Sequence, residues 1–124
     1  MRLLLDTHVV LSWMGHGRPL SASAQRELED PTNQLLVSAV VALEIAIKRG
    51  LGKLQAPPDL VARLLSTDAV RLAISIEHAA SVEHLPFHHR DPFDRLLIAQ
   101  ALSESASLVT ADDAMHAYDV PILW

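Results

Sequence analysis

The chain has 124 residues, 50% of them hydrophobic and 20% charged, with a net charge of −5 and no cysteine. That length predicts one domain with a real core and no room for a second, and the missing cysteines exclude disulfides, thiolate catalysis and thiolate metal sites. The acidic balance argues against a protein that grips nucleic acid through a broad basic surface. It leaves room for a local contact, and for acids gathered round a divalent cation that neutralises them once bound.

The chain begins with the organising stretch. Arg2-Leu3-Leu4-Leu5 has the length and apolar character of a buried parallel strand, and Asp6 follows at once, before a helix whose Val9, Val10, Trp13 and Met14 share a face. A carboxylate there stands at the carboxyl edge of a sheet, where open α/β folds bind ligands. Asp6 is thus a candidate for chemistry, and equally a candidate N-cap. Gly15-His16-Gly17 closes the first helix, and a second opens near Ser21 and stops before Asp30-Pro31.

Leu35-Leu36-Val37 reads as the second strand, with Ser38 capping a helix from Ala39 to Arg49. In it Ala39, Leu43, Ala46 and Ile47 have core spacing, and Glu44 lies between apolar neighbours. Pro57-Pro58-Asp59 starts a helix with an apolar stripe of Leu60, Val61, Leu64 and Leu65. Val70 to Ala73 is a weak third strand, and Ser75 begins a helix running to about His84. The polar loop His88-His89-Arg90-Asp91-Pro92-Phe93-Asp94 then delivers acids into a long helix, Phe93 to Ser105, with core positions Leu97, Ile98, Ala101 and Leu102. Leu108-Val109 is a short strand, Thr110-Ala111-Asp112-Asp113 leads into a helical turn, and Val120 to Leu123 is the last strand. Strands alternating with helices throughout predict a three-layer α/β fold on a mostly parallel sheet.

In that fold Asp6, Glu44, Asp91, Asp94 and Asp112 can all reach one crevice at the sheet edge. Carboxylates brought so close either take up protons or share a divalent cation, and an oxygen-only set favours Mg²⁺ or Mn²⁺. Each acid also has a structural reading. Asp91 before Pro92 suits an N-cap, Asp94 and Asp112 suit first helical turns, Glu44 can pair with Lys48, and Asp113 can complete a capping box with Thr110. His84, His88 and His89 have no regular zinc-ligand spacing and read as a solvated loop. Lys48, Arg49 and Lys53, with Arg90 and Arg95, are candidate phosphate contacts. No apolar run approaches the roughly 20 residues of a membrane span. The N-terminus lacks a charged and apolar leader pattern, so a cytoplasmic protein is expected.

Four stretches, LLLDTHVVLSW, SAVVALEIAIKRGLGKL, HHRDPFDRLLIAQA and SLVTADDAM, resemble in order and spacing the PIN domain, specifically the VapC-type toxins of toxin–antitoxin pairs. The resemblance implies a metal-dependent ribonuclease in which Asp6, Glu44, Asp94 and Asp112 take the places of the family's acidic quartet. It implies Mg²⁺ or Mn²⁺ as cofactor, RNA as substrate, a homodimer, and a cognate VapB-like antitoxin. Asp91 belongs to the extended DPFD form of the third motif, with Thr7 and Thr110 beside acids as candidate orienting hydroxyls. Three rivals are weighed. An aspartyl-phosphate phosphatase wants a second Asp where His8 stands, and a phospho-receiver wants paired acids around the first strand and a lysine after the late strand, where Thr110-Ala111-Asp112 stands. A non-catalytic α/β binding module should not bind Mn²⁺ through these acids.

Overall fold

A computed structural model describes all 124 residues. In chain order the elements are β1 (Arg2–Leu5), α1 (Thr7–Trp13), α2 (Ala22–Glu29), β2 (Gln34–Ser38), α3 (Ala39–Gly50), α4 (Leu60–Leu65), β3 (Val70–Leu72), α5 (Ile76–Ser81), α6 (Pro92–Ser103), β4 (Ser107–Val109) and β5 (Ile122–Leu123). The strands form one sheet in the order β3-β2-β1-β4-β5, every pair parallel, with Leu3 opposite Leu35 on one side and Leu5 opposite Val109 on the other. Helices cover both faces, giving three α/β/α layers.

Strand β1 is central because it can be buried on both faces: Leu3, Leu4 and Leu5 are wholly inaccessible, as are Leu36 and Leu108 beside them. The chain builds outward from β1 through β2 to β3, then returns to add β4 and β5 on the other side. The reversal makes the carboxyl ends of β1 and β4 a topological switch point, where diverging connections leave a crevice. Asp6 follows β1 there and Thr110 follows β4. Gly15, at φ +89°, lets the chain leave α1 in a conformation that a side chain would strain.

A buried polar chain ties the layers together. Ser38 caps α3 through Val40 N and donates to Gln100 Oε1 at 2.5 Å, and the Gln100 amide reaches Ala73 O and His78 Nδ1, each at 3.3 Å. Gln100 is completely buried, so its bonds satisfy groups that water cannot reach.

The core differs from the sequence expectation on α3. Val40, Val41, Glu44 and Ile45 face inward, whereas Ala39, Leu43, Ala46 and Ile47 are exposed, Leu43 by 48% and Ile47 by 42%. The helix is apolar nearly all round, so periodicity alone admits two faces. Its phase is set instead by the direct junction with β2, where Ser38 ends the strand and caps the helix. Leu102 on α6 and Leu65 on α4 are likewise exposed, while Leu97, Ile98, Ala101, Leu60 and Leu64 are buried. No helix is long and apolar enough to cross a membrane.

Candidate metal-binding acid site

Asp6 does two things at once. Its Oδ1 accepts from Val9 N at 2.8 Å, capping α1, while Oδ2 accepts the Thr110 hydroxyl from across the switch point. The residue is 2% exposed. Burial raises its pKa above the ordinary carboxylate value, against the lowering by the Thr110 and Val9 hydrogen bonds and by His8; Asp112 adds a smaller rise.

Glu44 reaches the same place because the α3 phase turns it inward, where it is 4% exposed. Thr7 donates to its Oε1 at 2.6 Å and Lys48, one turn later, donates to Oε2. The hydrogen bond to Glu44 raises the pKa of Lys48, against a desolvation that lowers it; the charges of Glu44, Asp91 and Asp94 add to the rise.

On α6 the two acids divide. Asp91 accepts from Phe93 N at 2.9 Å and Asp94 N at 3.0 Å, with Pro92 opening the helix, so it is the N-cap. Asp94, in the first turn, is pushed up to about 6 by burial first and by the Asp91 charge second. A hydrogen bond from His89 opposes the rise, and Asp112 and Glu44 add to it. Asp112 accepts from Ala114 N at 3.0 Å, and its own N–H goes to Thr110 Oγ1 at 3.0 Å.

Asp6, Glu44, Asp91, Asp94 and Asp112 line one small cavity of about 70 Å³ at the carboxyl edge, together with Thr7, His8, Lys48 and Met115. Lys48 is the only lysine or arginine among them. Five carboxylates against one ammonium group is an arrangement that resists closing, since like charges repel at short range. No three of the His, Asp and Glu side chains stand close enough together to hold an ion as they are. The donor chemistry fits a hard cation: every acidic donor is a carboxylate oxygen, and neither Asp94 Oδ1 nor Asp112 Oδ2 accepts a hydrogen bond from the protein.

Other sequence expectations meet a different outcome. Arg95 cannot touch phosphate: it is 6% exposed, and its guanidinium donates to Pro86 O, Val82 O and Tyr118 Oη. Arg49 is engaged by Ala56 O and Pro57 O, which leaves Lys53 and Arg90 as the exposed cations of that group. Asp113 is exposed and makes no capping box, because Thr110 spends its hydroxyl on Asp6 and Asp112. His84 is exposed as a solvated loop requires, but His89 is packed between Tyr118 and Asp94. Sequence reasoning missed both His89 and Tyr118. The one available signal was the position of His89 five residues before Asp94, and no spacing rule interprets it.

Sheet order, switch point and oxygen-only cavity together define a class: a parallel α/β/α domain with an acidic site at the carboxyl edge of its central strands. The chain belongs to the PIN-domain family, whose model matches residues 3–121. It is 29% identical over 122 residues to ribonuclease VapC22 of Mycobacterium tuberculosis (strain ATCC 25618 / H37Rv), covering 96% of this chain and 93% of that one. Two solved structures share the fold. VapBC2 from Rickettsia felis, bound to a DNA fragment from its promoter, superposes with a TM-score of 0.72 at 18% identity over 98% of this chain and 97% of that one. DNA-bound VapBC from Salmonella typhimurium gives 0.70 at 16% identity, over 98% and 96%.

Proposed function

We propose that the chain is a metal-dependent endoribonuclease of the VapC type, the toxin of a toxin–antitoxin pair acting in the cytoplasm. The observation that carries the reading is the convergence of Asp6, Glu44, Asp94 and Asp112 on one cavity at the switch point of a PIN domain. The name of the Mycobacterium tuberculosis relative supports ribonuclease activity, and the VapBC titles of the structural neighbours support an antitoxin partner.

These four carboxylates would hold Mg²⁺ or Mn²⁺, with Asp91 capping α6 beside them. When bound, the cation acidifies a water for in-line attack and neutralises charge on the phosphate oxygens. The chain's own residues prepare the site for it. Thr110 and the α1 amide fix both oxygens of Asp6, so its orientation costs nothing when a ligand arrives. Thr7 holds one oxygen of Glu44 while Lys48 holds the other, and Lys48, at the cavity wall, is placed to exchange that carboxylate for a phosphate oxygen. Asp94, pushed up to about 6, is largely ionised at neutral pH and would offer a carboxylate oxygen to the ion. Lys53 and Arg90, exposed nearby in sequence to Lys48 and Asp91, are the remaining candidates for RNA phosphate contacts.

Away from the cavity, exposed Leu43 and Ile47 on α3, with Leu51 just past its end, lie near in sequence to Ala42, which lines an apolar groove of about 340 Å³ with Val37, Val61, Leu64, Leu65 and Leu72. This surface supports a homodimer and a groove for an amphipathic antitoxin helix.

The test is cleavage of a labelled structured RNA with Mg²⁺ or Mn²⁺, in EDTA, and by Asp6→Asn, which keeps an N-cap of equal rank. Cleavage that needs the metal and is lost in Asp6→Asn is expected. Equal cleavage in EDTA, or by the variant, refutes the reading.

A further inference from the structure

We infer that His89 is a positioning residue for Asp94, holding one carboxylate oxygen by a hydrogen bond whose direction is set from behind by Tyr118 and Arg95. The inference rests on the metal-nuclease reading above, and goes beyond it in naming a residue outside the acid set.

The geometry is a relay of four groups. His89 Nε2 lies 3.1 Å from Asp94 Oδ2, and Nδ1 lies 2.8 Å from Tyr118 Oη. That phenol oxygen already receives Arg95 Nη1–H at 2.9 Å and the main-chain N–H of His89 at 3.4 Å. A phenol has one proton to give, and with its lone pairs taken by Arg95 and the backbone, that proton goes to Nδ1. Nδ1 therefore accepts, the ring proton sits on Nε2, and Nε2–H donates to Asp94.

Everything behind the imidazole is held. Tyr118 is 4% exposed and Arg95 6%. The Arg95 guanidinium also lies 4.7 Å from the centre of the Phe87 ring, and its bonds to Val82 O and Pro86 O pin the loop that carries His89 onto α6. Tyr118 meets His89 edge-on with ring centres 5.4 Å apart. A plain surface ion pair has no such backing, and its partners are free to part. Here the side chains of His89 and Asp94 are only 18% and 14% exposed.

The consequence falls on Asp94. Its Oδ2 is engaged by His89 while Oδ1 accepts nothing from the protein, so the carboxylate is rotated with one oxygen toward the cavity. Partners of this kind, hydrogen-bonded to a metal-binding carboxylate, change metal affinity or activity by about 10- to 100-fold when removed. Without His89, Asp94 keeps its charge and its helix but loses its orientation.

The experiment measures Mn²⁺ affinity by titration calorimetry, apart from turnover, in wild type, His89→Ala, His89→Gln and Tyr118→Phe. Imidazole ¹⁵N shifts of His89 in EDTA report the tautomer. Expected are the Nε2–H form, a loss of about 10- to 100-fold in Mn²⁺ affinity for His89→Ala, recovery in His89→Gln, whose amide N–H can reach Asp94, and an intermediate loss for Tyr118→Phe. An Nδ1–H tautomer overturns the inference and leaves the nuclease reading intact. So does wild-type Mn²⁺ affinity in His89→Ala. A wild-type chain that binds no Mn²⁺ overturns the nuclease reading, and the inference with it.

Discussion

Replacing Asp94 by Asn should stabilise the chain in the absence of metal, and only above about pH 4. The folded protein holds the Asp94 carboxyl at about 6, whereas its ordinary value is 3.8. A group raised in this way contributes stability fully present below its unfolded pKa and lost as pH rises through the folded one. The loss therefore runs from about pH 4 to pH 7, as Asp94 ionises beside Asp91, Asp112 and Glu44. At 1.36 kcal/mol per tenfold, the gap between 3.8 and 6 is worth about 3 kcal/mol. Solvent reaching the open cavity screens this to about 1–2 kcal/mol. Asn is nearly isosteric with the protonated acid and can still accept from His89, so the variant should match wild type at pH 4. At pH 7.5 it should exceed wild type by that amount, less a few tenths for the lost first-turn charge. Urea melts in EDTA at the two pH values read this directly. With a slope near 1.5 kcal/mol per molar, the midpoint of Asp94→Asn should lie about 1 M above wild type at pH 7.5. A variant less stable at pH 7.5, or shifted equally at both pH values, refutes the argument that the cavity strains this carboxylate.

Three further outcomes are expected. Asp91→Ala should cost about 1 kcal/mol by removing the α6 cap while Asp91→Asn costs only a few tenths and keeps activity, both read from urea melts and RNA cleavage. Ile45→Ala should cost about 2–4 kcal/mol and Ile47→Ala under about 1, a comparison that checks which face of α3 is buried. Mn²⁺ at 100 times its dissociation constant should raise stability by about 2.7 kcal/mol in wild type, and by much less in Asp6→Asn, as followed by thermal melts.

How much of this molecule could be read from its residues depends on whether a single physical rule decided each choice. The strand of Leu3 to Leu5 was readable because a run buried on both faces has few alternatives, and the end of that run fixed where Asp6 stands. Alternation of strands and helices was enough for a parallel sheet, since parallel neighbours need crossovers. On α3 the rule failed. AVVALEIAI is apolar on every side, and what chose the face was the strand-to-helix junction at Ser38, a tertiary fact. Arg95 failed for a different reason. A charge reads as surface, yet the loop from Val82 to Pro86 turns its carbonyls toward the guanidinium and makes burial tolerable. His89 was hidden because its partners lie five residues ahead and 29 residues ahead, linked by loop geometry that has no period.

The acids raise a subtler point, because capping and chemistry are posed at the sequence level as rival explanations for each one. The structure makes them compatible. Asp6 spends Oδ1 on the α1 amide and Oδ2 on Thr110, and Asp112 spends one oxygen on Ala114 N, yet both line the cavity. The cap is what makes the site possible. A carboxylate held by a backbone amide at a helix start has its position and its charge partly offset before any ion arrives, so several can be kept in one small space that free carboxylates would leave. Glu44, held by the Thr7 and Lys48 side chains, is one exception, and Asp94 is the other. Its own oxygens cap nothing: it lies three residues past a cap supplied by Asp91, and its hydrogen-bond partner is a side chain. Burial first and the Asp91 charge second raise its pKa to about 6, and its orientation rests on His89. Mutational effects should divide accordingly: substitutions at Asp6 touch folding and the site together, whereas substitutions at Asp94 and His89 reach the site while leaving α6 in place.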